Sequence, residues 1–149
     1  MTISTTARNA CDIGIRLDNA SGTLTDISGS SNAVTLTLSQ NVGESRVFGS
    51  RWPAREVCGK DAKVALTVLY TTASDEGYDI LANWFNETDP QPRTLYLYFP
   101  NKNVGSDVYY GEFVLESYET PATAGEAAPI MVSASLLIDG AITYTVAAT

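Results

Sequence analysis

Val34-Thr35-Leu36-Thr37-Leu38 and Val64-Ala65-Leu66-Thr67-Val68-Leu69-Tyr70 decide the fold class. In the first, Val34, Leu36 and Leu38 share one side and Thr35 and Thr37 the other. In the second, Val64, Leu66, Val68 and Tyr70 share a side. Only an extended strand sends every second side chain to one face, so each stretch reads as a half-buried β-strand. The same rhythm aligns Ile13, Ile15 and Leu17, and it sets Leu95, Leu97 and Phe99 against Tyr96 and Tyr98. Residues 107–119 give the longest strand, with Tyr109, Phe113 and Leu115 on one face. Glu112 and Glu116, spaced by Val114, lie on its other face. Ile130, Val132, Ala134, Leu136 and Ile138 form another strand, and Ile142, Tyr144 and Val146 the last. Asp139-Gly140 between these two is a hairpin-turn signal.

One segment, residues 74–86, breaks the alternation. Ser74 reads as an N-cap, and Asp75 and Glu76 fall in the first turn, where the helix dipole favours negative charge. Tyr78, Leu81, Trp84 and Phe85 gather on one side at helical spacing and are the expected packing face. Pro90 and Pro92 stop the helix. Several short strands with one helix predict a mainly β fold, a β-sandwich or partly closed barrel with one α-helix packed on it. At 149 residues the chain is expected to be a single domain over 1–149.

Composition removes whole classes of chemistry. The chain has no histidine, so a Ser/His/Asp triad, a Cys/His pair and the histidine-containing zinc sites are excluded. Two cysteines, Cys11 and Cys58, cannot build a four-thiolate site. A reduced, buried thiol is the default for each, with a disulfide between them left open. The net charge is -8, and it is unevenly placed. Residues 1–73 hold six acids and seven bases (+1), and residues 74–149 hold eleven acids and two bases (-9). Such a surface repels phosphate backbones. The start, Met1-Thr2-Ile3-Ser4-Thr5-Thr6-Ala7-Arg8, lacks the pattern of a signal peptide, and no window holds the ~18 apolar residues of a membrane span. The expectation is synthesis and retention in a cytoplasm.

Three long connections stand out: 19–33, 40–60 and the small-residue stretch 121–129. In the interaction loop expected at about 40–60, Arg46, Arg51 and Arg55 lie with Phe48 and Trp52, the one cluster of bases with aromatics. Arginine and tryptophan are enriched at protein–protein hot spots. The competing readings are a surface loop whose Trp52 folds back over the core, and a nucleic-acid contact, which the acidic remainder opposes. Two further readings come from the tyrosines and the acids. Tyr96, Tyr98, Tyr109 and Tyr110 would serve a carbohydrate-binding module, or else be covered by a neighbouring subunit. Paired carboxylates, drawn from Asp75, Glu76, Asp79, Glu112, Glu116 and Glu119, would serve a small hydrolase if held at the right separation. No calcium loop or glycine-rich phosphate loop occurs.

The element order is strand, long basic-aromatic loop, long strand, helix, strand pair and closing hairpin. With Phe48-Gly49-Ser50-Arg51-Trp52-Pro53 leading into 63–70, and the helix ending Asn83-Trp84-Phe85-Asn86, this order resembles the tail tube (major tail) proteins of long-tailed bacteriophages. The likeness spans most of the chain and is architectural and compositional. It implies a structural, non-enzymatic virion protein without cofactor or metal. Six copies would form a ring, and stacked rings would form a conduit for DNA. The implied partners are other copies, other tail proteins and DNA passing non-specifically through the lumen, with no membrane. The implied location is the virion tail, assembled in the bacterial host cytoplasm. The resemblance makes Arg46, Phe48, Arg51, Trp52 and Arg55 inter-subunit contacts. Glu112 and Glu116 become candidate lumen-facing acids, since a negative lumen would let DNA slide. Terminators and baseplate ring proteins share the sandwich, so a neighbouring tail component is the alternative. Some members carry an added surface domain, for which this chain is too short.

Overall fold

A computed structural model describes residues 11–125 and 127–148; the start read above for a leader lies outside them. Among the described residues, eight strands and one α-helix follow in the order β1 (Gly14–Asp18), β2 (Leu24–Asp26), β3 (Ser31–Ser45), β4 (Ala54–Leu69), α1 (Gly77–Phe85), β5 (Arg93–Phe99), β6 (Asp107–Glu119), β7 (Met131–Ile138) and β8 (Thr143–Val146). Every pairing is antiparallel, in one sheet of order β2-β1-β5-β6-β7-β4-β3 with β8 added on β6.

That sheet has to curl. A flat sheet of seven strands would hold its edge strands about 29 Å apart, at about 4.8 Å per neighbour. Yet edge strand β2 ends at Asp26 and edge strand β3 begins at Ser31, joined by a 3-10 turn at Ser28–Ser30. Five residue steps reach at most about 17 Å. The sheet therefore folds over itself without closing, and its two halves act as the layers of the expected sandwich around one core. Ile15, Leu17, Leu95, Leu97 and Phe113 meet Val64, Leu66, Val68, Val132 and Leu136 there, with Ile27 from the junction.

The helix covers the remaining opening. Ile80, Leu81 and Trp84 are buried, and Trp84 Nε1 donates to the Gln91 carbonyl at 2.9 Å. Their burial is worth about 5–8 kcal/mol as an upper estimate. The expected face thus shifts by a fraction of a turn. Ile80 joins Leu81 and Trp84, Tyr78 is half-buried on one flank, and Phe85 is 54% exposed on the other, edge-on to Tyr118 at 5.4 Å. The helix start also differs from the sequence reading. α1 begins at Gly77 and Ser74 does not cap it. The Gly77 amide donates instead to Oγ of buried Ser30, 3.1 Å away and 47 residues earlier. Gly77 is required here because a Cβ would stand 2.8 Å from Val68 Cγ1.

Two more expectations change. The hairpin of 130–138 with 142–146 does not form, because β8 pairs with β6 and not with β7. Asp139 and Gly140 (φ +95) make a jog, after which the chain continues along the same edge of β6 that β7 had followed. Gly111 leaves room for this crossing; a Cβ there would meet Ile138 Cδ1 at 2.9 Å and the Ala141 carbonyl at 3.2 Å. The segment 40–60 is also largely strand, and the connection 19–33 contains β2, the 3-10 turn and the start of β3.

Candidate functional site

β3 and β4 pair continuously from Ser31–Val68 to Ser45–Ala54, but β7 accompanies β4 only over 63–69. Among the described residues, the hairpin beyond Ala62 is a bare two-stranded ribbon. About seven further residues on each strand carry it some 23 Å beyond the last three-stranded contact. Two-stranded ribbons are marginal in water by themselves. The expected loop is thus an arm, with only residues 46–53 as an irregular tip. The alternation of Leu36 and Leu38 continues through Val42 and Glu44, and the pairing is reset by a bulge between Asn41 and Val42, where Cys58 is the extra residue on β4. The reset sets Val57 opposite Val42 and Arg55 opposite Glu44. Without it, Cys58 would stand opposite Val42 and Glu56 opposite Glu44, since one residue of slip inverts the faces of a strand.

The tip is ordered by polar contacts and leaves its apolar side chains in solvent. Glu44 accepts from Arg46 Nε and, at 3.4 Å, from Arg55 Nη2. Ser50 Oγ donates to the Trp52 carbonyl at 2.9 Å, and Gly49 turns the chain with φ +87. Trp52 is 83% exposed, Phe48 is fully exposed, and Val47, Val42 and Val57 are also exposed. The fold-back of Trp52 over the core does not occur, because the ribbon holds the tip away from the body. Arg46, Phe48, Arg51 and Trp52 share the tip, and Arg55 is on the β4 strand at its root. Burying two aromatics of this size would remove about 300–500 Å² from water.

The second feature is the outward face of the sheet. Lys63, Ala65 and Thr67 on β4 pair with Leu137, Ser135 and Ser133 on β7, and Thr35 and Thr37 continue the row on β3. Glu112 and Glu116 are on this side of β6, away from Phe113. The Thr94 hydroxyl donates to Glu112, and Ser135 Oγ donates to Glu116 at 2.8 Å with Lys63 Nζ at 3.9 Å. A bulge between Leu115 and Ser117 places Glu116 out of the ladder and returns Tyr118 to the core side opposite Ala134. On the same outward face Tyr96 stacks on Tyr110 (4.8 Å, 7°) and on Tyr98 (6.3 Å, 20°), with the Arg16 guanidinium 5.4 Å from the Tyr98 ring. Burial, then the neighbouring Tyr110 and Tyr98, raise the Tyr96 phenol above its ordinary range. Because the rings lie face on face, they do not spread into the flat platform a sugar would stack on. Tyr109 is on the opposite face, with Phe99 and Tyr144.

Several residues carry structure that sequence reading missed. Arg93 is buried, with its guanidinium paired to Glu87, donating to the Asp18 carbonyl at 3.3 Å and lying 5.2 Å from the Trp84 ring. Its alternating neighbours Leu95 and Leu97 put it on the core side, which was the available signal. Cys11 and Cys58 are both free and both exposed, against the expectation of buried thiols; Cys58 lies on the arm, where every β4 residue from Ala54 to Asp61 is exposed. Among the described residues no three His, Cys, Asp or Glu side chains gather as a metal site. No described helix is long and apolar enough to cross a membrane.

No protein-family model matches the chain, and no curated protein matches it significantly. Solved structures do match. A chain in the anti-feeding prophage baseplate structure, 6-fold symmetrised, superposes with a TM-score of 0.76 at 11% identity, covering 96% of this chain and 97% of that one. A chain in the tail of the empty gene transfer agent particle, solved with C6 symmetry, gives 0.68 at 17% identity, covering 93% and 99%. The SPP1 tail tube gives 0.65 at 14% identity, covering 91% and 77%. These likenesses establish a fold shared with proteins of phage-like tails.

Proposed function

We propose that this chain is a structural subunit of a tail tube, a non-enzymatic protein whose copies form six-membered rings that stack around a central conduit for DNA. The observation that carries the reading is the bare arm. A two-stranded ribbon ending in exposed Val47, Phe48 and Trp52 is a poor element for an isolated monomer and a suitable one for an assembly. The shared fold supports it, since one of the matching chains belongs to a tube and another to a tail of six-fold symmetry. The polar outward face of Ser, Thr, Lys63, Glu112 and Glu116 suits a wet lumen: it offers hydrogen bonds to water and no excess of cations to hold phosphates. Glu116 is partly offset by Lys63, so the repulsion of DNA would rest more on Glu112. Arg46, Phe48, Arg51, Trp52 and Arg55 are the proposed inter-subunit contacts. Other copies and other tail proteins are the proposed partners, the virion tail the site of action and the host cytoplasm the place of assembly.

Sedimentation velocity over a hundredfold range of concentration, followed by negative-stain microscopy, tests this reading. The expected result is a monomer that converts cooperatively to rings and tubes with a stained central channel. A closed dimer that persists at every concentration would sink it.

A further inference from the structure

We propose that the arm tip of one copy seats on an aromatic, acidic pole at the opposite end of a second copy, an inference that rests on the assembly reading and names the surface receiving the arm. The pole is built where β4, α1 and β6 finish. Tyr70 and Tyr78 lie 4.5 Å apart, Phe85 meets Tyr118 edge-on at 5.4 Å, and the Tyr70 amide donates to the Ile130 carbonyl at 2.9 Å. Tyr70, Phe85 and Ile130 are exposed, while Tyr78 and Tyr118 pack against the main core.

Charge selects the occupant. Residues 70–86 around this pole carry Asp75, Glu76 and Asp79 with no base, a balance of -3, and the next acid, Glu87, is paired with Arg93. Residues 44–60 of the arm carry Arg46, Arg51, Arg55 and Lys60 against Glu44 and Glu56, a balance of +2. Each surface therefore offers aromatic rings with the charge the other lacks, the combination found at hot spots and in steered association. The two surfaces of one copy cannot meet. The arm lies at the start of β4 and Tyr70 follows its end, sixteen residues and about 50 Å along the strand. Two different, complementary patches at opposite ends make a heterologous contact, which repeats head to tail and does not close in pairs. The rival seat is the groove at the arm's own root, between Leu38, Tyr109, Ile142 and Tyr144. It is apolar too, but its charges, Lys60 and Asp61, cancel.

The test replaces exposed Trp52 by the photocrosslinking residue p-benzoylphenylalanine (Trp52→p-benzoylphenylalanine). The concentrated protein is irradiated, and mass spectrometry with isotope-mixed copies maps the adducts. The expected adducts join two copies and fall within 70–89 or at Tyr118. In Asp75→Asn/Glu76→Gln, which keeps a residue tolerant of the left-handed backbone at 75 (φ 59), their yield falls about fivefold, as expected for losing two exposed ion pairs. Adducts at the arm-root groove, adducts on the sheet face, or no adducts between copies would overturn the proposal while leaving a tube possible. Adducts at the pole in samples that microscopy shows to lack tubes would uphold the docking and remove the tube reading.

Discussion

Phe48→Ala/Trp52→Ala separates an arm built for assembly from an arm built for the monomer. In the isolated chain Phe48 is fully exposed and Trp52 83% exposed, so truncation removes almost no buried area. Exposed substitutions of this kind change stability by less than about 0.5 kcal/mol, or about 1–2 °C in melting temperature for a chain of this size. In the assembly the two rings would bury up to about 500 Å², a transfer free energy of up to about 12 kcal/mol at 25 cal/mol per Å². Ordering and imperfect packing reduce this, and truncating interface aromatics typically costs about 2 kcal/mol or more each. A joint loss of about 4 kcal/mol raises the critical concentration for assembly about a thousandfold. Pelleting across a concentration series, beside circular dichroism melts, reads both quantities. A critical concentration within threefold of the parent, or a melting temperature lowered by more than about 5 °C, would refute the reasoning.

Three other substitutions test the body of the fold. Ser30→Ala strips the acceptor from the buried Gly77 amide; the expected cost is about 1–2 kcal/mol, seen as a melting temperature lower by roughly 3–8 °C, and an unchanged melt would show that Ser30 does not cap the helix. Gly111→Ala crowds Ile138 and the Ala141 backbone; hydrogen exchange should accelerate across Thr143–Val146 while β4 and β7 stay protected, and uniform protection would contradict the jog onto β6. Asp26 loses solvation on folding, which opposes ionisation, but hydrogen bonds from Lys102 and Ser28 prevail and hold it at about 2, below its ordinary 3.8. A lowered folded-state value means that this contribution is complete above about pH 4 and is lost as pH falls through about 2. Asp26→Asn should flatten the urea midpoint across that window, by a modest amount because the pair is partly exposed, and an undiminished acid slope would assign it to other carboxylates.

The strands were legible because their core faces are uninterrupted. Val64, Leu66 and Val68, or Leu95 and Leu97, announce a face whatever their partners are. Residues 107–119 were read to the residue, since Phe113 and Leu115 fix its phase. The arm was read as loop because Gln40–Ser45 and Ala54–Lys60 have no buried side to impose alternation, and because a bulge at Cys58 inverts the phase midway. The helix was found from its stripe, but its cap was not, since Ser30 lies 47 residues from Gly77 and no local pattern links them. The order of β7 and β8 on β6 was hidden for a related reason: Asp139-Gly140 has the chemistry of a hairpin turn, and the space left by Gly111 decides that the chain jogs instead. For the candidate site, residue types were legible and placement was not. Arginine beside tryptophan signals a contact surface, whereas only the ribbon's length shows that the contact is carried away from the body.

End-on cryo-electron microscopy of the concentrated protein tests the central claim most directly. The account predicts class averages of six subunits around an open hole, with the sheet face bearing Lys63, Glu112 and Glu116 towards the hole and the arms directed along the axis. Rings of another number, a filled centre, or a hole lined by α1 would contradict it.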